Sequence, residues 1–538
     1  MYLQRRYMSK QINKIVIVGG GSAGWMSAAT MIKCFPEKEI ILIESPGIPT
    51  VGVGESTIGG IGAWLNLLGI KDTDFMKHTD ASYKLSIRFT DFYKKGSGSF
   101  HYPFGLPDID GQASEGNDWF LKKIVKPDTP VSDYADCMYP NMALVNENKI
   151  DKNMDGKLPK FIFEKDTAYH FDAGLFAAWL RDRFSIPRGV KHIQQEVKSV
   201  TVGETGIEHL LLANGENVEA DLFIDCTGFK SLLLSEALQE PFISLKHLLP
   251  NNSAWATRVR YTDKENQLVG YTDCHAIDNG WVWSIPLWSR MGTGYVYSDE
   301  YVSDQDALQE FKQHLITKGY SIEDAEFRNI KMRVGIHDRL WVKNVCAIGL
   351  SAGFIEPLES NGLYTVHEFL FKLVRALQRG NCTVSRFDKD TFNAACREQF
   401  QGFMEFVSAH YALSHRDDTE YWRANGERVY SEDMQNPYGV NTTFRQYYSM
   451  QKYFDYRWAN ITTSGLGCIA TGLNYFPTDY ASVISFSYNT KDFNKDTGLT
   501  QYMVDAGLLL DYKKEKWKNA VSSSPKLIDY LKEHIHNE

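Results

Sequence analysis

Three glycines near the amino terminus have the spacing of a nucleotide-binding turn. Gly19, Gly21 and Gly24 form a GxGxxG pattern within "GGGSAG", and Glu44 follows about 25 residues after the first glycine. Such glycines allow a tight turn and let the backbone approach a pyrophosphate at a helix N-terminus. A carboxylate at the spacing of Glu44 can accept hydrogen bonds from ribose hydroxyls. The pattern predicts a dinucleotide site, and by itself it does not choose between FAD and NAD.

The segments around this turn are typical of a β-α-β unit. The segment "IVIV" (15–18) is β-branched throughout, as expected of a buried parallel strand. The segment "WMSAATMIKCF" is compatible with a helix, and "EIILIES" gives a second apolar strand. Because the helix begins at the glycines, Ser22 and Ala23 are also predicted to contact the cofactor. A lone GxGxxG can be an ordinary strand-to-helix turn, but the order of these segments favours a dinucleotide.

Two later turns favour FAD over NAD. In "VEADLFIDCTGFKSLLL" a predicted strand runs into Asp225, and in "LWVKNVCAIGLSAGFIEP" another runs into Gly349. Both resemble the second and third flavin-contacting turns of flavoproteins with two dinucleotide-binding domains. The alternative is that both are ordinary turns of an α/β sheet.

The segment "GWVWSIPLW" (280–288) holds three tryptophans in nine residues. Trp281 and Trp283 are two positions apart, so they share one face of a strand, and Pro286 ends the ladder soon after. The pattern predicts either a rigid aromatic wall or two ordinary core tryptophans.

Composition excludes several classes of protein. The chain has 538 residues and a net charge of −9, which allows two or three domains and argues against nucleic acid as the main partner. The eight cysteines form no CxxC pair, so no metal site or dithiol is predicted. No signal peptide and no apolar run of membrane-spanning length is present, so we expect a cytoplasmic protein without membrane contact.

Four motifs together resemble the flavin-dependent halogenases, in particular the tryptophan halogenase branch. A later segment, "HYALSHRDDTEYWR" (410–423), also resembles this family, so the resemblance covers nearly the whole chain. The motifs are "GGGSAGW" (19–25), "GVGEST" (52–57), "GWVWSIP" (280–286) and "EPLESNGL" (356–363).

The resemblance implies an α/β, monooxygenase-like fold that binds FAD, with a mainly helical region that caps the substrate. Residues 1–80 and 160–400 are expected to form a discontinuous FAD-binding domain. Residues 81–159 and 401–538 are expected to form the substrate-binding region. Gly54, Glu55 and Ser56 join the predicted cofactor contacts, and Trp281 and Trp283 are placed as a wall beside the flavin.

The family chemistry assigns a central role to one lysine. Reduced FAD (FADH2) and O2 oxidise a halide ion to hypohalous acid, which then travels to a lysine beside the organic substrate. That lysine should be Lys84 in "YKLSIRFTDF", where it forms a haloamine or donates a hydrogen bond to the oxidant. Apolar and polar residues alternate in this segment, so one continuous strand is expected. From pattern alone, a solvated lysine on a half-buried strand is the simpler alternative.

The motif "EPLESNGL" supplies a carboxylate and a halide site in the family. Glu359 should polarise the oxidant or act as general base, with Glu356 as a nearby competitor. Ser360 is expected to cap an amphipathic helix, and the backbone at Ser360, Asn361 and Gly362 is expected to bind the halide. The family usually has threonine at the position of Asn361. Bromide or iodide, which are easier to oxidise than chloride, could therefore be preferred.

The substrate side departs from the members that halogenate free tryptophan. Tyr102 and Phe104 align with a His-x-Phe element, so His101 stands one position early. The segment "ITTSGLGCIATGLNYFP" contains no tryptophan where those members have one. Upstream aromatic residues could compensate, namely Tyr453, Tyr456 and Trp458. A wider pocket is expected, with a free electron-rich aromatic such as an indole or a phenol as substrate.

A separate flavin reductase is expected to supply FADH2, because no NADH-binding module accompanies the FAD fingerprint; a homo-oligomer is possible. Two alternatives remain. An aromatic flavin monooxygenase (hydroxylase) is disfavoured by Trp281 and Trp283, and a non-catalytic flavin-binding protein is disfavoured by intact Lys84 and Glu359.

Overall fold

The computed structural model describes residues 10–47, 54–108, 118–154, 156–428, 463–474 and 499–537. Strands from widely separated parts of the chain meet in two large sheets, and helices pack around them. Within the described ranges, none of the helices combines the length and the apolar character that a membrane crossing requires.

The predicted β-α-β unit lies at the centre of a six-stranded sheet. The first two strands flank helix Ser22–Cys34 and pair in parallel, as the apolar runs predicted. All strands of this sheet are parallel to their neighbours except Trp341–Val342 at one edge. In spatial order the strands are Trp341–Val342, Val345–Ala347, Leu222–Asp225, Lys14–Val18, Glu39–Glu44 and Lys191–Gln194.

A seven-stranded, mainly antiparallel sheet carries the tryptophan motif. The motif strand Gly280–Pro286 is interior to the sheet, paired on both sides over nearly its whole length. Only the pair formed by Tyr271–Ile277 and Ser86–Thr90 is parallel. In spatial order the strands are Arg328–Lys331, Ser253–Val259, Met291–Tyr297, Gly280–Pro286, Tyr271–Ile277, Ser86–Thr90 and Ser99–Pro103.

The lysine segment does not form the single continuous strand that the alternation predicted. It breaks at Leu85 into Ser82–Lys84 and Ser86–Thr90. The first piece joins a three-stranded sheet with Gly54–Ser56 and Ala168–Asp172, and the second joins the seven-stranded sheet. Lys84 and Ser86 are buried like the apolar residues of the segment, whereas Arg88 and Thr90 are only half-buried.

Three smaller sheets complete the strands of the described residues. They comprise Val197–Gly203, Gly206–Leu212 and Asn217–Val218; Phe242–Ser244, Gly335–His337 and Gly353–Phe354; and Lys10–Gln11 with Thr383–Val384.

Two long helices follow the nucleotide sheet and lead towards the C-terminal helices. Asn361–Arg379 packs on Arg386–Ala412 and on the helix of the nucleotide turn. The other α-helices of the described residues are Ile61–Leu68, Asp72–Phe75, Asp118–Val125, Asp133–Met138, Met142–Asn146, Phe163–Asp166, Ala173–Trp179, Lys264–Gln267, Asp304–Thr317, Glu420–Glu427, Thr463–Gly472, Leu499–Ala520 and Leu527–Leu531.

A partly buried ion cluster attaches the C-terminal helix Leu499–Ala520 to residues 118–138. The Lys122 ammonium lies 2.6 Å from carboxylate oxygens of both Asp133 and Asp511, and Lys514 also contacts Asp133 at 2.6 Å. Asp133, Cys137 and Asp511 are close enough together to ligate a metal ion. Because the Lys122 ammonium already pairs with both carboxylates, the cluster needs no metal to balance its charge.

Candidate functional site

Lys84 lies at the end of strand Ser82–Lys84 and has no exposed surface. Its Nζ donates to the carbonyl oxygen of Thr57 at 2.9 Å and to Oγ of Ser360 at 2.8 Å. These acceptors belong to the motifs 52–57 and 356–363, so the structure brings three separated segments to one buried point. The interpretation of Lys84 as a solvated surface lysine is therefore wrong.

A chain of buried polar groups continues from Ser360. Its hydroxyl donates to Oγ of Ser56 at 3.1 Å, and the hydroxyls of Ser56 and Thr272 are 2.7 Å apart. Oγ1 of Thr272 lies 2.9 Å from Nε2 of His170. Nδ1 of this ring lies 3.3 Å from Oγ of Ser82, which donates to a backbone carbonyl. These hydrogen bonds therefore connect the lysine to residues of two sheets, the three-stranded sheet and the seven-stranded sheet.

The proton directions in this chain run one way, from Lys84 to the carbonyl of Pro286. A carbonyl oxygen only accepts, so each hydroxyl donates towards it. Burial lowers the pKa of His170 far below its ordinary value, so its ring is neutral and can accept on one nitrogen and donate through the other. Ser360 therefore accepts from Lys84 and cannot donate to it. Two N–H bonds of the lysine are committed, to Ser360 and to Thr57.

The protonated and neutral forms of Lys84 are both populated near pH 7. Burial lowers its pKa to about 7, although Cys274 and Glu359 act in the opposite direction. Nζ lies 5.0 Å from the ring centroid of Phe104, so the predicted substrate-pocket residue is next to the lysine. With two N–H bonds committed, the remaining position on Nζ is a lone pair in the neutral form and an N–H in the charged form.

Glu359 closes the short 3-10 turn Pro357–Glu359, and its side chain is buried. Oε1 lies 2.7 Å from Nε2 of His410, a fully buried residue of helix Arg386–Ala412. The ring N–H axis is not aligned on this oxygen, so the contact is an ion-pair distance without hydrogen-bond geometry. Burial raises the pKa of Glu359, while His410 and Lys84 act to lower it.

Glu356 lies in a different arrangement. Its Oε2 accepts hydrogen bonds from Asn251 Nδ2 at 2.9 Å, from Trp281 Nε1 at 2.7 Å and from the Tyr411 hydroxyl at 2.7 Å. Trp281 has no exposed surface, and its ring centroid is 6.3 Å from that of the half-buried Trp283. One indole of the tryptophan motif is thus hydrogen-bonded to a carboxylate of the motif 356–363.

Helix Asn361–Arg379 begins directly after Ser360, which has a left-handed backbone (φ 56°). Ser360 occupies the N-cap position as predicted, but the prediction that its side chain caps the helix is wrong. Its hydroxyl is used by Lys84 and Ser56 instead. Asn361 is buried, and its Oδ1 has no hydrogen-bond partner among the described residues. A Cβ at Gly362 would contact no protein atom within 4 Å.

The amphipathic pattern of this helix is confirmed. Its apolar stripe is buried as predicted and consists of Leu363, Val366, Leu370, Leu373, Val374 and Leu377.

The glycines of the nucleotide turn have distinct physical roles. Gly19 has φ 112°, and a Cβ there would lie 2.2 Å from the carbonyl oxygen of Cys226. A Cβ at Gly24 would lie 1.8 Å from the carbonyl oxygen of Gly19. Gly21 precedes helix Ser22–Cys34, and a Cβ there would contact no protein atom within 4 Å. The protein therefore requires glycine at 19 and 24, but its own packing does not require it at 21.

The other predicted cofactor residues surround this turn. Glu44 Oε1 lies 2.6 Å from Nε2 of His192, next to the turn. A Cβ at Gly349 would lie 2.8 Å from the Cβ of Ala23, so the third turn packs on the first. Ser22 donates weakly, at 3.4 Å, to the carbonyl oxygen of Ala173.

Asp225 is fully buried between the first and third turns. Its carboxylate accepts from the backbone N–H and hydroxyl of Thr227 and from the backbone N–H groups of Leu233 and Leu234. Its own carbonyl accepts from Ser351. Asp225 thus fixes the geometry of the second turn through bonds within the protein.

Strand Gly54–Ser56 links the nucleotide end to the lysine. Gly54 packs on Ile285 of the tryptophan-motif strand, and Ser56 belongs to the polar chain. Burial and, to a smaller extent, the Asp172 carboxylate raise the pKa of Glu55 to about 7. Residues 52 and 53 of this motif lie outside the described residues.

Tyr102 and Phe104 pack edge to face, with ring centroids 6.2 Å apart. His101 takes the other side of the strand, where Nδ1 lies 3.0 Å from Oγ of Ser86 and its ring packs against Tyr271. Burial lowers the pKa of His101 to about 3, so the ring is neutral at physiological pH. The predicted displacement of this histidine from the aromatic pair is confirmed.

The glycines of helix Thr463–Gly472 do not widen a pocket. A Cβ at Gly465 would lie 2.6 Å from the Tyr102 ring, and one at Gly472 would lie 2.2 Å from the Phe100 ring. The expectation of extra space is wrong at these positions, because aromatic side chains of the neighbouring strand fill it. The three aromatic residues that could compensate, Tyr453, Tyr456 and Trp458, lie outside the described residues.

Several site residues were not found from the sequence. His410 and Tyr411 belong to the segment 410–423, whose resemblance to the family was the available signal. Asn251, Thr272 and His170 carry no motif, and only the folded structure places them in the network.

Comparisons with known proteins identify the family of the chain. Residues 14–486 match the family described as "Tryptophan halogenase". The tryptophan 6-halogenase ThaL of Streptomyces albogriseolus is 31% identical, over 98% of this chain and 99% of its own. The apo structure of VirX1 superposes with a TM-score of 0.87 at 36% identity, over 98% of this chain and 100% of that one.

The description of a third relative states that it depends on flavin. BrvH, a flavin-dependent halogenase from Brevundimonas sp. BAL3, superposes with a TM-score of 0.80 at 29% identity, over 97% of this chain and 99% of that one. The predicted α/β, FAD-binding fold class is confirmed by this similarity, and neither the hydroxylase nor the non-catalytic alternative is favoured. The chain belongs to the tryptophan halogenase family, as its motifs predicted, and is a flavin-dependent halogenase.

Proposed function

We propose that the protein halogenates a free, electron-rich aromatic compound through Lys84, with Glu359 as general base. The observation that carries this proposal is the fully buried lysine, with two N–H bonds committed and its pKa near neutrality. A surface lysine with an ordinary pKa would have none of these properties.

FAD fits the nucleotide turn. The first-turn N–H groups of helix Ser22–Cys34 have no capping side chain, and a Cβ at Gly21 would project away from all protein atoms, as close approach of a pyrophosphate requires. When bound in its reduced form, FAD supplies, with O2, the oxidation of a halide to hypohalous acid. Glu44 would hold the ribose, with Ser22, Ala23 and Gly349 lining the same turn.

The halide site is proposed at the N-terminus of helix Asn361–Arg379. Backbone N–H groups at Asn361 and Gly362 and the positive end of a 19-residue helix favour an anion there. Ser360 belongs to the predicted site, but its backbone N–H already donates to the carbonyl oxygen of Pro357 at 3.0 Å. No acidic residue stands in the first turn to oppose it. Ser360 thereby connects the halide end to Lys84 through its side chain.

Lys84 is proposed to hold the oxidised halogen. Its neutral form offers a lone pair that can attack hypohalous acid to form a haloamine, and its charged form offers one N–H that can donate to the oxidant. The polar chain fixes the direction of this one free position, because Ser360 and Thr57 hold the other two. Phe104 beside Nζ is proposed as a wall against which the aromatic substrate stacks, with Tyr102 behind it.

Glu359 is proposed to accept the ring proton after the carbon–halogen bond forms. Neither of its carboxylate oxygens receives an aligned hydrogen bond from the described residues, so one of them is free to act as a base. Oε1 of Glu356 also has no hydrogen-bond partner among the described residues, but three donors converge on Oε2 and act to lower the pKa of this carboxyl group, which makes Glu356 the weaker base.

The substrate is proposed to be an indole or a phenol. ThaL acts on tryptophan by its name, which supports an indole; the displaced His101 and the missing C-terminal tryptophan separate this chain from members that sandwich free tryptophan. Trp281 and Trp283 are proposed as the wall on the flavin side. A separate flavin reductase is proposed as the source of FADH2.

The test is a mass-spectrometric screen of indoles, phenols and free tryptophan with FADH2, O2 and each of chloride, bromide and iodide. A product whose mass changes with the halide supports the proposal. A hydroxylated product that forms without halide would favour the monooxygenase. Absence of oxygen consumption with FADH2 would favour the non-catalytic alternative.

A further inference from the structure

Glu359 and His410 form a buried pair whose protons can be counted from the contacts. Nδ1 of His410 lies 3.1 Å from the carbonyl oxygen of Phe406, one turn earlier in the same helix. Because a carbonyl oxygen only accepts, Nδ1 carries a proton. Nε2 then faces Oε1 of Glu359 at 2.7 Å.

At least one of these two atoms must carry a proton. An imidazole lone pair and a carboxylate oxygen at 2.7 Å would repel each other if neither were protonated. Either His410 is neutral beside a protonated Glu359, or an imidazolium stands beside a carboxylate. Only the second state leaves Glu359 able to accept a proton from a substrate.

The surroundings of His410 leave Glu359 as the partner of its Nε2. Three phenylalanines pack around it, with centroid distances of 4.7 Å for Phe89, 5.7 Å for Phe406 and 6.2 Å for Phe92. These apolar side chains offer Nε2 no polar atom as a partner. His410 has no exposed surface, so bulk water does not compete with Glu359 for this nitrogen.

We propose that His410 is a positioning residue that carries the proton of this pair as an imidazolium, keeps Glu359 ionised and holds Oε1 by ion pairing, so that Oε2 meets the reacting ring. This inference rests on the proposed function. After the carbon–halogen bond forms, the C–H bond at that carbon breaks and its electron pair restores the aromatic ring. The proton goes to Oε2 of Glu359 and passes to solvent after the product leaves.

The test compares His410→Gln with Ser408→Ala in the full-length holoenzyme. Glutamine keeps an N–H donor near the position of Nε2 but cannot hold the charge. Ser408 is a buried polar residue of the same helix whose hydroxyl donates only within the helix, to the carbonyl oxygen of Met404, and it serves as the control. Halogenation of indole and of ring-deuterated indole is measured, and hypohalous acid is trapped separately.

In the wild type, loss of the ring proton should be fast, so the isotope effect should be near unity. In His410→Gln, halogenation should slow by roughly tenfold or more, with an isotope effect well above unity and unchanged formation of hypohalous acid. Ser408→Ala should behave as the wild type. A wild-type rate with an isotope effect near unity in His410→Gln would overturn the proposal.

A second measurement does not depend on activity or on the folding of His410→Gln. Infrared difference spectra of the wild type against Glu359→Gln at pH 7 report the state of this carboxyl group. The band of an ionised carboxylate supports the imidazolium, and the band of a protonated carboxyl overturns it. If the wild type halogenates no compound in the screen, the proposed function fails, while this spectrum still decides the state of the pair.

Discussion

Nζ of Lys84 and Oγ of Ser360 are 2.8 Å apart, although 276 positions separate them in the sequence. The contact joins the end of a strand in one sheet to the first residue before helix Asn361–Arg379. Any change in the packing of that helix therefore moves the acceptor that holds the lysine. The proposed halogen carrier and the proposed halide site are mechanically linked through one hydroxyl group.

Lys84→Ala should abolish halogenation and leave FAD binding and hypohalous acid formation intact. The amine is removed, whereas the nucleotide turn is untouched. Lys84→Arg is the matched comparison: a guanidinium keeps the charge but stays protonated and is a poor nucleophile, so it should fail as well. Product assays and trapping of hypohalous acid in the same reaction check both outcomes; product from Lys84→Ala would remove the lysine from the mechanism.

Glu359→Gln should raise the barrier of halogenation by about 2–4 kcal/mol, because an amide cannot accept the ring proton. Glu356→Gln is the control. It keeps one oxygen for the three donors that converge on Oε2, so halogenation per hypohalous acid formed should be unchanged while stability falls by about 1–3 kcal/mol. If both variants lost the same share of halogenated product per hypohalous acid formed, the assignment to Glu359 would be contradicted.

Gly21→Val should lose FAD without losing the fold. A Cβ there meets no protein atom within 4 Å, so we expect the side chain to displace only a bound pyrophosphate. Gly24→Val should lose both, since its Cβ would lie 1.8 Å from the carbonyl oxygen of Gly19. Flavin absorbance and the melting temperature of the apoprotein separate the two cases, and a normal flavin content in Gly21→Val would refute the proposed binding mode.

The stability of the apoprotein should depend on pH through Lys84. Its pKa is about 7 when folded and about 10.4 in an unfolded chain, so between these values the unfolded state binds one more proton. The contribution of Lys84 to the free energy of unfolding therefore rises with pH, by about 1.4 kcal/mol per pH unit. The melting temperature of the wild type relative to Lys84→Met should increase from pH 7 to pH 9. A difference that does not change with pH would show that Lys84 stays charged when folded.

Asn361→Thr should shift the halide preference towards chloride. Asn361 is buried at the helix N-terminus proposed to bind the halide, where the family usually has threonine. The backbone donors survive the substitution, so halide binding itself should persist. Competition between equimolar chloride, bromide and iodide, read by mass spectrometry, measures the ratio. An unchanged ratio in a well-folded variant would exclude this side chain as a determinant of halide choice.

The nucleotide end could be predicted from the sequence because its physics is local. An apolar strand, a glycine turn, a helix and a second apolar strand follow one another within 30 residues, from Ile15 to Glu44. Each step constrains its neighbour through backbone geometry alone. The β-α-β unit is confirmed, and Gly19 and Gly24 show the close backbone approaches that the motif requires.

The surroundings of Lys84 could not be predicted in the same way. Strict alternation indicated one strand, but Leu85 marks a transfer between two sheets that only long-range pairing determines. His410 is likewise separated from Glu359 by 51 positions, and no spacing rule connects a strand–turn–helix motif to the last turn of another helix. Both features arise from tertiary packing, which overrides local pattern.

His410 and Tyr411 are consecutive residues of one helix, yet one contacts Glu359 and the other Glu356. A helix turns by about 100° per residue. Deleting or inserting one residue between Arg386 and His410 would therefore rotate both side chains off their glutamates at once. Homologous chains that retain the two glutamates should align with this stretch without gaps.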